Sequence, residues 1–102
     1  MKNIATLILV FLCAGFAVGQ ASPKVRHPAI SLFGQGKFAE AVSGFEAATK
    51  TEEFKTDAEI WNYLGLSYLA IDKVKSSRKA FEKSVSLDPS SAIFRSNLSY
   101  AV

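Results

Sequence analysis

Two kinds of hydrophobic pattern divide the chain. From Ile4 to Val18 every residue is apolar except Thr6 and Gly15. Beyond Ser22 the apolar residues are spaced, returning every three to four positions as helices require. The clearest case is Trp61, Leu64, Gly65 and Tyr68, which fall at i, i+3, i+4 and i+7 and share one helical face. This spacing predicts a helix from about Asp57 to Ile71, opened by a capping box in which Thr56 and Glu59 satisfy each other's backbone N–H groups. Asp72-Lys73 interrupts the pattern, and a second helix is expected from Val74 to Leu87 with Val74, Ser77, Phe81, Ser84 and Val85 inward. It must stop near Asp88, because a residue preceding proline is pushed out of the α region. Ser90-Ser91 can cap a third helix over 92–102.

The same unit occurs upstream. Ala29, Leu32, Phe38, Ala41, Phe45 and Ala48 match Gly65, Tyr68, Val74, Ser77, Phe81 and Ser84 at an offset of 36 residues. Downstream, Leu64 and Gly65 return as Leu98 and Ser99 at an offset of 34. The upstream copy is degenerate: Pro28 stands where Leu64 belongs, so its first helix begins there and runs only to about Gln35, followed by one from Phe38 to Thr49. The expected class is therefore all-α, with antiparallel helix-turn-helix units stacked as a short α-solenoid behind an apolar leader helix.

The central unit resembles the tetratricopeptide repeat. That family's landmarks are a tryptophan, a leucine-glycine pair, a tyrosine, an alanine, a phenylalanine and a proline at fixed spacing in 34 residues. Trp61, Leu64, Gly65, Tyr68, Phe81 and Pro89 fit, and Ser77 replaces the alanine with another small residue. The resemblance gives each landmark a task. Gly65 and Ser77 allow close helix approach, Tyr68 and Phe81 fill the space between helices, and Pro89 ends the second helix. The resulting division is a leader over 1–21, a degenerate repeat over 22–57, a full repeat over 58–91, and the start of a third, incomplete repeat over 92–102.

The resemblance also implies a function. Repeats of this family bind peptides or partner helices in a groove lined by each first helix. On the central helix the groove positions are Glu59, Asn62, Leu66, Leu69 and Ala70. Leu66 and Leu69 offer apolar contact, or alternatively pack on the next repeat, and Asn62 offers a hydrogen bond to a peptide backbone. The carboxylate clamp of chaperone-binding members is not expected, since Tyr63 and Ile93 occupy two of its places and only Asn97 fits. A protein or peptide ligand is thus the expected partner. Two and a fraction repeats leave an open C-terminal edge, which predicts either that the natural chain continues past Val102 or that the edge is covered by self-association or a partner.

The leader adds a compartment. Lys2 precedes fifteen apolar residues, a helix of roughly 22 Å that falls short of a ~30 Å hydrocarbon core. Small residues follow at Gly19 and Ala21, the layout of a secretory signal peptide, with cleavage preferred after Ala21 over Gly19. Retention of residues 4–18 as a membrane anchor is the alternative. Cys13 follows Phe11-Leu12 rather than a small residue, which speaks against lipidation.

Composition narrows the remaining chemistry. Hydrophobic residues make up 49% and charged ones 21%, which excludes a disordered tail. The net charge is +3, and removal of Lys2 with the leader leaves 11 basic residues against 9 acidic. Lys75, Lys79 and Lys83 form a basic stripe at i, i+4 and i+8, a solvated face or a surface for an acidic partner or anionic headgroups. No aromatic residues interleave with it as base stacking needs, so nucleic acid is not expected. Cys13 is the one cysteine and His27 the one histidine, too few for a metal site or a nucleophile relay. Glu52-Glu53 read as a solvated turn, and Gly34-Gln35-Gly36 lacks the lysine of a phosphate loop. The Asn97-Leu98-Ser99 sequon overlaps a core position, which argues against glycosylation. No catalytic residue, metal or cofactor is expected. The whole reads as an exported interaction module; the alternatives are the docking segment at the front of a longer exported enzyme or assembly factor, or a small membrane-tethered repeat protein.

Overall fold

The computed structural model describes residues 26–102. The leader, with Lys2, Cys13 and both cleavage positions, lies outside the described residues. Five helices follow one another: α1 (Pro28–Gly34), α2 (Phe38–Ala48), α3 (Ala58–Ala70), α4 (Val74–Leu87) and α5 (Ala92–Ala101), with no strand among the described residues. No helix of this region is long and apolar enough to cross a membrane.

Local chemistry accounts for each boundary. Pro28 opens α1, where a missing N–H costs nothing. The imidazole of His27 caps it, Nδ1 accepting the Ala29 N–H at 3.1 Å. α3 begins one residue later than a Thr56 capping box would place it. Its cap is Asp57, whose carboxylate accepts the N–H groups of Glu59 and Ile60 at 3.1 and 3.3 Å. An aspartate there meets the positive end of the helix dipole with a full charge, and Glu59 turns instead to Arg26. Asp72 takes the left-handed conformation (φ 65°) that closes the α3–α4 turn, one that aspartate tolerates better than most side chains. α4 stops at Leu87, before Asp88-Pro89, and Ser91 Oγ accepts the Phe94 N–H at 3.2 Å to start α5.

The helices form two layers. Each packs against its neighbours in sequence, and α3 also touches α1 on one side and α5 on the other, whereas α2 and α4 do not meet. The core runs between the layers through Ala29, Ala41, Phe45, Ala48, Ile60, Leu64 and Ala80, all buried. Small residues sit where helices cross: a Cβ added at Gly44 would come within 2.9 Å of the Ala29 methyl, and one at Gly65 would strike the Phe81 ring. Ser77, Phe81 and Ser84 face inward as the spacing predicts, and Val85 is half-buried. Val74 does not: it is 43% exposed, because it stands at the turn where α3 has already ended.

The connection between α2 and α3 contributes to this core, which its polar sequence conceals. Phe54 is buried in the loop, and its ring meets the His27 imidazole edge-on at 5.2 Å. Glu52 and Glu53 point to solvent as expected, with Glu52 paired to Lys55 at 2.9 Å.

Candidate binding surface

α3 is the centre of the site, since its two faces meet different neighbours. One face carries the landmarks. Leu64 and Gly65 are buried, and Trp61 is anchored by its indole N–H, which donates to the Lys55 carbonyl at 2.8 Å. Lys83 from α4 lies over the indole, its Nζ 5.8 Å from the ring centroid. Tyr68 reaches past the α3–α4 hairpin to the preceding unit, where its hydroxyl donates to the Glu46 carboxylate on α2. Burial, this hydrogen bond and the nearby carboxylate charge push the phenol up to about 12. Tyr68 therefore joins consecutive repeats as well as lining its own. Phe81 is wholly buried against Gly65, while Ser77 is buried with no hydrogen-bond partner for its hydroxyl among the described residues. Pro89 is exposed, and its carbonyl accepts from Arg95 at 2.6 Å.

The other face carries the five groove positions, and they divide three ways. Leu66 and Leu69 are half-buried and Ala70 is exposed. Glu59 is exposed and pairs with Arg26, which also holds Asp57. Asn62 is buried, and its Oδ1 accepts from the Asn97 amide at 2.8 Å. Asn97 is thereby occupied in joining α5 to α3. Tyr63 is turned back to the first repeat, stacked on Phe45 at 5.6 Å and edge-on to Phe33 at 5.4 Å. Both of these residues act in packing between repeats.

α5 extends the same face. At an offset of 34 residues, Ile93, Ser96 and Tyr100 stand where Glu59, Asn62 and Leu66 stand on α3. Ile93 is 68% exposed and Tyr100 78%, the most exposed large apolar side chains of α5 before the terminal Val102. Tyr100 and Arg26 are absent from the sequence-based site. The 34-residue offset points to Tyr100 directly, whereas nothing in the local sequence marks Arg26 as the partner of residues 31 and 33 positions away.

Residues 58–91 match the family model of the tetratricopeptide repeat, the same residues over which the seven landmarks fall. The match spans a third of the chain, and no curated protein matches the chain closely enough to be called a relative. The described residues thus form a short, tetratricopeptide-like helical repeat. Repeats of this kind are in general protein–protein interaction modules without catalytic activity.

Proposed function

We propose that the layer formed by α1, α3 and α5 binds an extended peptide or a partner helix, with Leu66, Leu69 and Ala70 of α3 and Ile93 and Tyr100 of α5 as its apolar contacts. The observation that carries this reading is the exposure of Ile93 and Tyr100 in register with the groove positions of α3. Tyr100 stands one repeat on from the half-buried Leu66, and the two exposed apolar side chains of α5 continue the α3 face as an interaction surface would. Glu59 and Arg26 supply polar contacts at the rim, and Asn62, held by Asn97, sets the spacing of α3 and α5. The function is binding, with no bond made or broken.

The test uses peptides selected by display against the whole chain. A selected peptide is titrated into the wild type, Leu69→Asp and Tyr100→Asp. Each substitution places a charge where apolar surface should be buried, and about tenfold or greater loss of affinity is expected. Unchanged affinity in both variants would remove the groove reading.

We also propose that the module works after export, on the strength of Lys2, the Ile4–Val18 run and the small residues at Gly19 and Ala21. Sequencing the N-terminus of the native protein should find Ser22, or Gln20 for the second cleavage position. An intact Met1 on a chain that needs detergent for extraction would identify residues 4–18 as an anchor.

A further inference from the structure

On the side of α3 away from the groove lies an open notch of about 180 Å³, floored by Trp61, Leu64 and Tyr68 and walled by Ser76, Lys79 and Ala80 of α4. A cavity of roughly 150 Å³ holds a benzene ring, so this one has room for a single large apolar side chain. Its rim is cationic. Lys75, Lys79 and Lys83 are exposed on α4, flanked by Lys73 and Arg78, and the acids nearby are the exposed Glu82 and Glu46, which takes the Tyr68 hydroxyl. The ion pairs among the described residues join Arg26 to Asp57 and Glu59 and Lys55 to Glu52, so none of the α4 cations is neutralised by an acid.

We propose that this notch is a second docking site, distinct from the groove, for an acidic protein segment that inserts one phenylalanine- or leucine-sized side chain between flanking carboxylates. The apolar floor supplies the anchor pocket. Unpaired lysines on one wall supply the charge complementarity that sets orientation and speeds encounter. Trp61 is suited to be the anchor's contact, because its indole is held by the Lys55 carbonyl and keeps its ring at the floor. A flat anionic membrane is a poorer fit. The apolar residues of α4 are buried or half-buried apart from Val74 at its first position, so no row of them projects to enter a bilayer.

Trp61 is the one tryptophan of the chain, so its emission reports on this notch directly. The probe is an acidic peptide of glutamates and aspartates around one central phenylalanine, titrated into the full chain at low salt. A saturable change in Trp61 emission is expected. Replacing the phenylalanine by serine, or the acids by their amides, should weaken binding about tenfold or more, as should the Lys79→Gln, Lys83→Gln double variant. Binding should also weaken severalfold on raising the salt to about 0.5 M. The substitutions are at exposed positions, and helical circular dichroism checks that the variants fold. Equal affinity of the double variant, or of the amide peptide, would overturn the proposal. So would loss of binding in Leu69→Asp with none in the lysine variant, which would assign the peptide to the groove. Trp61 emission that responds to phosphatidylserine vesicles but not to the peptide would overturn it in favour of a membrane surface.

Discussion

Phe81 lies so close over Gly65 that a Cβ built on residue 65 would sit 2.5 Å from two of its ring carbons. This single approach sets the spacing of the α3–α4 hairpin, and through it the relation of the groove face to the cationic face. Phe81 is fully buried, so its ring cannot swing away into solvent without giving up that burial.

Gly65→Ala is therefore expected to destabilise the fold by about 1–3 kcal/mol through overpacking, although alanine is the better helix former by about 1 kcal/mol. Gly34 is the control: a Cβ there meets nothing within 4 Å, and Gly34→Ala should be neutral or slightly stabilising. Urea unfolding of the two variants distinguishes these outcomes. Equal effects would mean that the Gly65–Phe81 contact does not limit helix approach.

Ser77 presents the opposite case. Its hydroxyl is buried with no partner among the described residues, so the fold carries a desolvated polar group there. Ser77→Ala removes that group, restores the landmark residue of the repeat and improves helix propensity. A gain of about 1 kcal/mol is expected from the unfolding midpoint.

The Tyr68–Glu46 link makes stability pH-dependent at the alkaline end. Burial, then the hydrogen bond and charge of Glu46, hold the folded phenol to about 12, against 10.0 for an ordinary tyrosine. Between those values the folded chain binds a proton that the unfolded chain has lost, so stability falls as pH rises. The contribution is complete below pH about 10 and lost by about 12. Tyr68→Phe should show a shallower alkaline decline than the wild type when both are unfolded across that range. Tyr68 should ionise late by absorbance, and earlier in Glu46→Gln.

The Asn62–Asn97 hydrogen bond joins α3 to α5 across 35 residues of sequence. A double-mutant cycle with alanine at both positions should give a coupling of about 0.5–1.5 kcal/mol. The Asn97→Ala change alone should be costly for its size, because it strands the buried Asn62 carbonyl. A coupling near zero would mean that α5 docks without this bond.

How much of this was legible in the sequence follows from the range of the forces involved. The helices could be read because their determinants are local: Pro28 starts α1, Ser91 caps α5, and Pro89 lies just beyond α4. The repeat could be read because Trp61, Gly65 and Phe81 stand at spacings that a helical hairpin imposes. Contacts between repeats could not. Phe54 sits in a stretch that reads as a polar linker, and only the tertiary fold brings His27 and Arg26 against its ring. Thr56 and Asp57 are both good caps, and which one wins depends on a single residue of register. Asn62 reads as a ligand-facing amide on the helix alone, yet Asn97 claims its carbonyl once α5 is in place. The five expected groove positions lie on one face of α3 as their spacing requires, whereas the parts proposed for Arg26 and Tyr100 depend on neighbouring elements.

Backbone amide shifts of isotope-labelled protein, followed while a display-selected peptide is titrated in, locate the binding face residue by residue. Binding in a first-helix groove predicts the largest shifts at Glu59, Leu66, Leu69 and Ala70 on α3 and at Ile93 and Tyr100 on α5. Shifts confined to α2 and α4, with α3 and α5 silent on that face, would contradict it.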